Sequence, residues 1–255
     1  MIGDIVGRPG RRALKDNIAS LVSEFKVDLT IANGENSAGG NGLTREVGRE
    51  LFALGIDVIT MGNHVWNHKE IFNYIEQEKR IIRPANYPPG APGSGVSVFM
   101  ARNGISVAVM NLSGRVFMPE LDCPFRKADE MLASLDKQIR VVLLDFHAEA
   151  SSEKVAMGWY LDGRVSAVCG THTHVQTADE RILPEGTAYI TDVGMTGPRD
   201  SVIGVKKELV IEKFITQLPR RFEVAGSNYQ LNAVLVEVDD ISGRAIDINR
   251  IQNYE

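Results

Sequence analysis

The stretch Asp57 to His68, DVITMGNHVWNH, decides how this chain is read. Apolar Val58 and Ile59 run into Thr60, Met61 and Gly62 with no helical period, the pattern of a buried strand that ends at a glycine. Asn63 and His64 therefore stand where a strand edge opens into a loop. Ligands of open α/β sheets bind beyond the carboxyl ends of the strands, so an Asn-His pair delivered there points to chemistry. Other segments end in the same way. Asp4 follows Met1-Ile2-Gly3, Glu35 and Asn36 follow Leu29-Thr30-Ile31, His147 follows Val141 to Phe146, and His172 and His174 follow Val165 to Gly170. All five histidines of the chain lie in these strand-end segments.

The chain's 255 residues are enough to bury a sizeable core in one large α/β domain or two small ones. A formal net charge of -5 gives no electrostatic reason to capture long nucleic acid or an anionic membrane, although bound cations could invert the field locally for a small phosphate ester. The opening MIGDIVGRPG has no basic region followed by an apolar one, and no apolar run approaches a membrane span. Cys123 and Cys169 form neither a disulfide framework nor a close metal pair, which fits a reducing cytoplasm.

Read in order, Arg8-Pro9-Gly10 is a turn ahead of a helix carrying Leu14, Ile18, Leu21, Val22 and Phe25. Only Met1 and Ile2 precede Gly3, so either the sheet begins unusually late or a few residues of the first strand are missing. Val27 to Ala32 reads as the second strand. The Gly-rich loop from Asn33 to Gly42 lacks the Lys-Ser/Thr of a phosphate-binding loop and frames Glu35 and Asn36. Thr44 caps a helix that Gly55 closes. His68 to Lys79 has a helical pattern with Ile71, Phe72 and Ile75 inward. Gly95–Met100 and Ile105–Met110 form a hairpin about Arg102-Asn103-Gly104. Helices are expected over Ala128–Leu135 and Glu149–Tyr160, and strands over Arg140–Phe146, Val165–Cys169, Thr187–Thr191 and Leu231–Val238. Gly194 to Asp200 reads as a loop. With no repeat and no long linker, residues 1–255 form a single mixed, two-sheet domain in which both halves meet at one site.

Asp4, Glu35, Asn63, His147, His172 and His174 supply carboxylate, amide and imidazole donors, a set suited to Mn, Fe, Zn or Co rather than a calcium cage. Two ions roughly 3.5–4 Å apart could grip a phosphate and activate a water, if Glu35 or Asp4 bridges them and His172-x-His174 sends its side chains to different ions. Each residue also has a plain reading. His147 could cap a turn, His64 could hydrogen-bond within a packed loop, Asn63 could be a turn residue, Asn36 a loop brace, and His68 a helix start.

Six motifs carry a resemblance: GDIVGRPGR from Gly3, ANGENSAGGNGLT from Ala32, MGNHVWNHKE from Met61, DFHAEASSEK from Asp145, GTHTHVQTAD from Gly170 and TDVGMTGPRDSVIG from Thr191. In order and spacing they resemble the YmdB-like branch of the calcineurin-like metallophosphoesterase superfamily across nearly the whole chain. The resemblance implies a four-layer α/β fold, with two central mixed sheets flanked by helices, and a dinuclear centre. Asp4, Glu35 and His174, with Asn36 nearby, would hold one ion; Glu35, Asn63, His147 and His172 would hold the other, and His64 would be catalytic. Val6 and Val65 stand where the wider superfamily has histidine and aspartate, which leaves one ion with fewer imidazoles and removes a simple Asp-His activating pair.

The implied activity is bacterial, cytoplasmic hydrolysis of 2',3'-cyclic nucleotides to 3' nucleotides. Metal-bound hydroxide attacks phosphorus while His64 assists the leaving ribose oxygen. Iron or manganese leads, with Zn, Co and Mg as further candidates. Asn86, Tyr87, Thr196 and Arg199 are candidate substrate neighbours. The alternatives are a broader phosphatase or nuclease and a metal-dependent phosphate-binding regulatory scaffold. The resemblance also admits a link to RNA processing and a homo-oligomer, and implies no membrane partner.

Overall fold

The computed structural model describes residues 1–226 and 228–255. In chain order the elements are β1 (Asp4–Ile5), α1 (Gly7–Glu24), β2 (Ile31–Asn33), α2 (Arg45–Ala53), β3 (Val58–Thr60), α3 (Ile71–Gln77) and β4 (Ile81–Ile82). There follow β5 (Val96–Met100), β6 (Ser106–Ser113), α4 (Pro124–Ser134), β7 (Val141–His147), α5 (Ser151–Leu161), β8 (Ala167–Thr171), β9 (Arg181–Ile182) and β10 (Ala188–Ile190). The chain closes with β11 (Met195–Pro198), α6 (Lys207–Thr216), β12 (Tyr229–Val238) and β13 (Ala245–Tyr254). One sheet has six strands in the order β5-β6-β7-β8-β10-β9. The other is built from β2-β3-β4 and β1-β11-β12-β13, which Ile2 joins by bridging Ala32 in parallel and Ala233 antiparallel.

Alternation along the strands explains the layers. On β6, Val107 and Val109 point to the opposite sheet, whereas Ala108, Met110 and Leu112 meet α4 and α5 through Ala128, Met131, Met157 and Leu161. Leu14, Ile18, Leu51 and Ile75 of α1 to α3 cover the outer face of the joined sheet. The result is four layers, helix, sheet, sheet and helix, as expected. Each large side chain buried in these layers contributes about 1.5–3 kcal/mol relative to exposure.

Several boundaries differ from the sequence reading. Residues 195–198 are not loop: β11 pairs in parallel with β1 and antiparallel with β12. Gly197 and Pro198 hide it from a periodicity argument, and its sheet partners override that weak propensity. The first helix begins at Gly7 rather than after Gly10, because a proline in the first turn gives up no intrahelical hydrogen bond. The helix expected from His68 is confined to α3, where Ile71 and Ile75 point inward as expected and Tyr74 joins them in place of Phe72, which is 42% exposed and stacks on Trp66 with ring centroids 5.3 Å apart. The strand expected from Val27 starts only at Ile31. Neither α6 nor β13 has a counterpart in the sequence reading.

β1 is short, and ahead of it lies an apolar groove of about 470 Å³, with Leu29 and Val236 among its walls and Val109, Leu143 and Cys169 from the facing sheet. Ile2 donates its N–H to the Ile31 carbonyl at 2.8 Å, and Met1 exchanges hydrogen bonds with Val234, both at 2.8 Å. The strand ladder thus runs into the groove from its inner end. Burial also pushes the Met1 ammonium below the usual amine range. Four alternating apolar residues placed ahead of Met1 are expected to raise the Tm, at about 2–4 °C for each kcal/mol gained. A Gly-Ser extension of the same length should not; equal melting of the two would show that the groove takes no strand.

Candidate metal centre

The candidate donors meet because their strands end together. His147 closes β7, Glu35 follows β2, Asn63 follows β3, and His172 follows β8. The Nε2 of His147 lies 3.0 Å from Glu35 Oε1, 3.0 Å from Asn63 Oδ1 and 3.1 Å from His172 Nδ1. Donors about 2.1 Å from an octahedral ion stand about 3.0 Å from one another, so this spacing suits a cation among them. The ligand atoms of Glu35, His147 and His172 lie close enough together for these three residues to hold a metal ion by themselves.

A second set shares Glu35. Buried Asp4 accepts the His172 N–H through Oδ2 at 3.1 Å, while its Oδ1 has no hydrogen-bond partner and lies 3.8 Å from His174 Nε2. The Asn36 amide is 3.2 Å from the same imidazole nitrogen and 3.3 Å from Glu35 Oε1. An unpartnered buried carboxylate oxygen beside an imidazole is the kind of group a cation satisfies. His174 Nδ1 donates to the Ile203 carbonyl at 2.8 Å, which leaves the lone pair on Nε2, facing the Asn36 amide and Asp4.

Charge balance follows from burial. Burial would raise the Glu35 pKa, but its ion pair and hydrogen bond with His147, with help from His64, hold it down at about 2. Burial likewise opposes a charged His147, yet Glu35, Asp4 and Asp145 lift it to about 9. His172 is pushed down to about 3 by burial and by the neighbouring His147 charge, so its lone pair is available near neutrality. Burial raises Asp4 to about 6, against the pull of His174 and His147.

Residues that the sequence reading passed over orient these donors. Asp145 is buried and accepts from Thr171 Oγ1 at 2.6 Å, from Asn33 Nδ2 at 3.2 Å and from Thr60 Oγ1. With its own proton given to Asp145, Thr171 Oγ1 can only accept from His147 Nδ1 at 2.9 Å, which turns His147 Nε2 to the site. His172 and His174 have left-handed backbones, φ 101° and 66°, which are strained for histidine. Asp192 holds this turn by accepting from Thr173 N–H at 3.1 Å and Thr173 Oγ1 at 2.7 Å, and is itself paired with buried Lys154 at 2.6 Å. At Gly62 any Cβ would overlap the His147 ring and Glu35 Oε2. Asp145 and Lys154 lie inside a motif already singled out, but nothing in their spacing reveals their partners.

His64 is half-buried one residue beyond Asn63. Its backbone N–H donates to Glu35 Oε2 at 2.8 Å, and Asn67 Nδ2 meets its Nδ1 at 3.0 Å. His68 is a loop brace, with Nε2 on the Asn41 carbonyl at 3.0 Å. Tyr87 sits edge-on to Trp66, and its hydroxyl pKa is raised by burial and by the charge of Glu35. Asn86 is buried and joins Ser113 to Asp122, whereas Thr196 is buried on β11 against Asn232. Arg199 lies over the Tyr254 ring, in a cavity of about 460 Å³ that also touches His174.

Two sheets that turn their strand ends onto one shared carboxylate are the architecture of metallophosphoesterases, and this fold falls in that class. More narrowly, the chain belongs to the YmdB-like protein family, which matches residues 1–251. A Bacillus subtilis relative, a 2',3'-cyclic-nucleotide 2'-phosphodiesterase, is 53% identical over 250 residues, covering 98% of this chain and 94% of its own. A hypothetical protein from Thermus thermophilus superposes with TM-score 0.94 at 42% identity, over 100% of this chain and 98% of that one. A novel phosphatase from Mycoplasma pneumoniae superposes with TM-score 0.93 at 38% identity, over 99% and 92%.

Near pH 7 Glu35 is ionised and His172 neutral, so the proton that a metal must displace is the one on His147 Nε2. Titration with Mn²⁺ in buffers of different ionisation enthalpy should release about one proton per chain at pH 7. The apparent affinity should rise with pH until about 9, and a pH-independent affinity would remove His147 from the ligand set. Gly62→Ala should weaken metal uptake at least tenfold, the scale of a displaced ligand-orienting group. Unchanged affinity would show that the Gly62 turn is not needed for the donors to meet.

Proposed function

We propose that this protein is a metal-dependent phosphodiesterase that opens 2',3'-cyclic nucleotides at the 2' ester and leaves a 3' nucleotide. The observation that carries the reading is Glu35, buried between two donor groups, in a chain 53% identical to a phosphodiesterase of that specificity. Asp4, Glu35, Asn36 and His174 would hold one ion; Glu35, Asn63, His147 and His172 would hold the other. Their mixed oxygen and nitrogen donors suit iron or manganese. When bound, the ions supply charge neutralisation to the phosphate and lower the pKa of the attacking water.

The chain's own groups do the rest. Water adds to phosphorus in line with the 2' oxygen, the bond from phosphorus to that oxygen breaks, and the phosphate stays on the 3' oxygen. The departing oxygen needs a proton. His64 is fixed beside the site by its backbone bond to Glu35, and its imidazolium form would give the Nε2 proton to the departing oxygen and be left as neutral imidazole. Tyr87 and Arg199 remain as substrate neighbours. Tyr87 lies close enough to feel the Glu35 charge, and Arg199 shares a cavity with His174.

Cleavage of RNA by attack of a 2'-hydroxyl group leaves 2',3'-cyclic ends, so reactions of that class would supply the substrate and connect the protein to RNA turnover. A cytoplasmic setting agrees with two cysteines that form no disulfide. Among the described residues no helix is long and apolar enough to cross a membrane. A broader phosphatase is the second reading, favoured by the Mycoplasma pneumoniae relative, whose structure is described as that of a phosphatase.

His64→Ala is expected to keep its metal content and to lose on the order of 10²- to 10⁴-fold in turnover of a 2',3'-cyclic nucleotide, the range for a positioned acid. Metal analysis and product chromatography on the same samples decide between readings. Near-wild-type turnover would take His64 out of the mechanism, and turnover confined to monoesters would favour the broader phosphatase.

A further inference from the structure

The loop that follows β6 supplies none of the candidate metal donors, yet it is tied to them. β6 and β7 pair in parallel with Ser113 opposite His147, and the Gly114 N–H donates to the His147 carbonyl at 2.9 Å. Both ends of the loop are held by Asn86. Its amide oxygen accepts from the Ser113 N–H at 2.9 Å, its Nδ2 donates to the Asp122 carbonyl at 3.0 Å, and its own carbonyl accepts from the Asp122 N–H at 3.0 Å. Asn86 is the neighbour of Tyr87, which feels the Glu35 charge. The loop therefore starts and finishes on the rim of the site, beyond the carboxyl ends of the strands, where ligands of such sheets lie.

The backbone there is pinned while the side chains are left open. Buried Glu153 accepts the Arg115 N–H on both carboxylate oxygens at 3.1 Å and the Val116 N–H at 3.2 Å. The next residue, Phe117, has φ of 60°. A left-handed backbone is an outlier for so bulky a side chain, and strain of this kind collects at ligand clamps. The Phe117 ring is 89% exposed, more than any other large apolar residue among those described. Arg115 is exposed as well, and its guanidinium meets no ion-pair or hydrogen-bond partner among the described residues. At about 3.3–3.6 Å per residue, the Phe117 Cα lies no more than about 11 Å from the Gly114 nitrogen that anchors the loop to His147. A nucleotide held at the metal centre by its cyclic phosphate spans a like distance. Single-stranded nucleic acid is held in just this way, by an aromatic ring on which a base stacks and a cation that meets the backbone phosphate.

We infer that this loop is the nucleoside subsite, in which Phe117 stacks on the base of the 2',3'-cyclic nucleotide and Arg115 pairs with a phosphate on its 5' side. The inference rests on the activity proposed above and narrows its substrate. Stacking accepts any base, because every base has a π-face. A 5' phosphate is present where the cyclic phosphate ends an RNA chain and absent from a nucleoside 2',3'-cyclic monophosphate, so the preferred substrate is the cyclic end of a short RNA, whatever its last base. One phosphate on one arginine is a local contact, which the overall charge of -5 does not prevent.

Steady-state kinetics of the metal-loaded protein should compare a dinucleotide ending in a 2',3'-cyclic phosphate, adenosine and cytidine 2',3'-cyclic monophosphates, and abasic ribose 2',3'-cyclic phosphate. The wild type should favour both mononucleotides over the abasic compound by about 5- to 150-fold in KM, the scale of one stacked base, and favour the dinucleotide further. Phe117→Ala should erase the first preference through KM with kcat held, and Arg115→Gln the second. Binding without turnover is read from Phe117→Trp, whose emission, beyond that of Trp66 and Trp159, should be quenched by adenosine 3'-monophosphate. If no substrate is turned over, the proposed activity fails and the quenching alone decides the subsite. Equal wild-type KM values with and without the base, a Phe117→Ala effect confined to kcat, or an Arg115→Gln variant that keeps the preference for the dinucleotide would each overturn the inference. So would a Trp at 117 that the nucleotide leaves unquenched, including one whose emission responds only to phosphatidylglycerol vesicles.

Discussion

Everything around the site is arranged to hold one carboxylate, that of Glu35, ionised in a place where water cannot reach it. Burial alone would protonate a carboxyl there. It is kept charged by His147 Nε2 at 3.0 Å on one oxygen and by the His64 N–H at 2.8 Å on the other. Those donors come from two different sheets, since His147 ends β7 and His64 follows β3. The contact therefore exists only when the sheets face each other in the observed register. Gly62 makes that approach possible, because a side chain there would fill the space the two groups occupy.

This dependence explains what the sequence disclosed and what it did not. Strand ends are local signals: a run such as Val141 to Phe146 followed by histidine shows itself without any knowledge of partners, so Asp4, Glu35, Asn63, His147, His172 and His174 stand out as donors ahead of any fold. The same logic places β5, β6, β7 and the Thr44 cap. Tertiary support is not local. Asp192 answers Thr173 and Lys154 from 19 and 38 positions away, and Asp145 reaches Thr60 across 85. Side chains of this kind look like ordinary polar residues until register sets them opposite one another.

Asn86 and Thr196 show the complementary case. Both are polar, lie in loop-like sequence and suit a substrate contact. In the fold their amide and hydroxyl groups are used on backbone, Asn86 to tie the end of β6 to Asp122 and Thr196 to join β11 to β12. β11 escaped notice because glycine and proline dominate a strand whose stability comes wholly from its neighbours β1 and β12. α6 has no counterpart in the sequence reading, and its Ile211, Phe214 and Ile215 are left open to water in the fold.

Strain and charge at the site have one origin. The histidines at 172 and 174 take backbone conformations that favour glycine, and they are held there by the Asp192–Lys154 pair, which is almost wholly buried. Removing one partner of such a pair costs about 3–5 kcal/mol, because the other charge is then stranded. The turn is thus fixed by a network too costly to break, and its two imidazoles diverge, one towards His147 and the other towards Asp4. On those two sides the protein's own groups meet unequal solutions. Around Glu35 the charge is balanced by a proton that His147 holds up to about pH 9; around Asp4 no donor reaches Oδ1, and the carboxyl's own proton affinity rises to about 6 instead. Both answers are protons standing where a multivalent cation would do better, since one ion can satisfy Asp4, Glu35 and the imidazole lone pairs together without asking any buried base to carry charge.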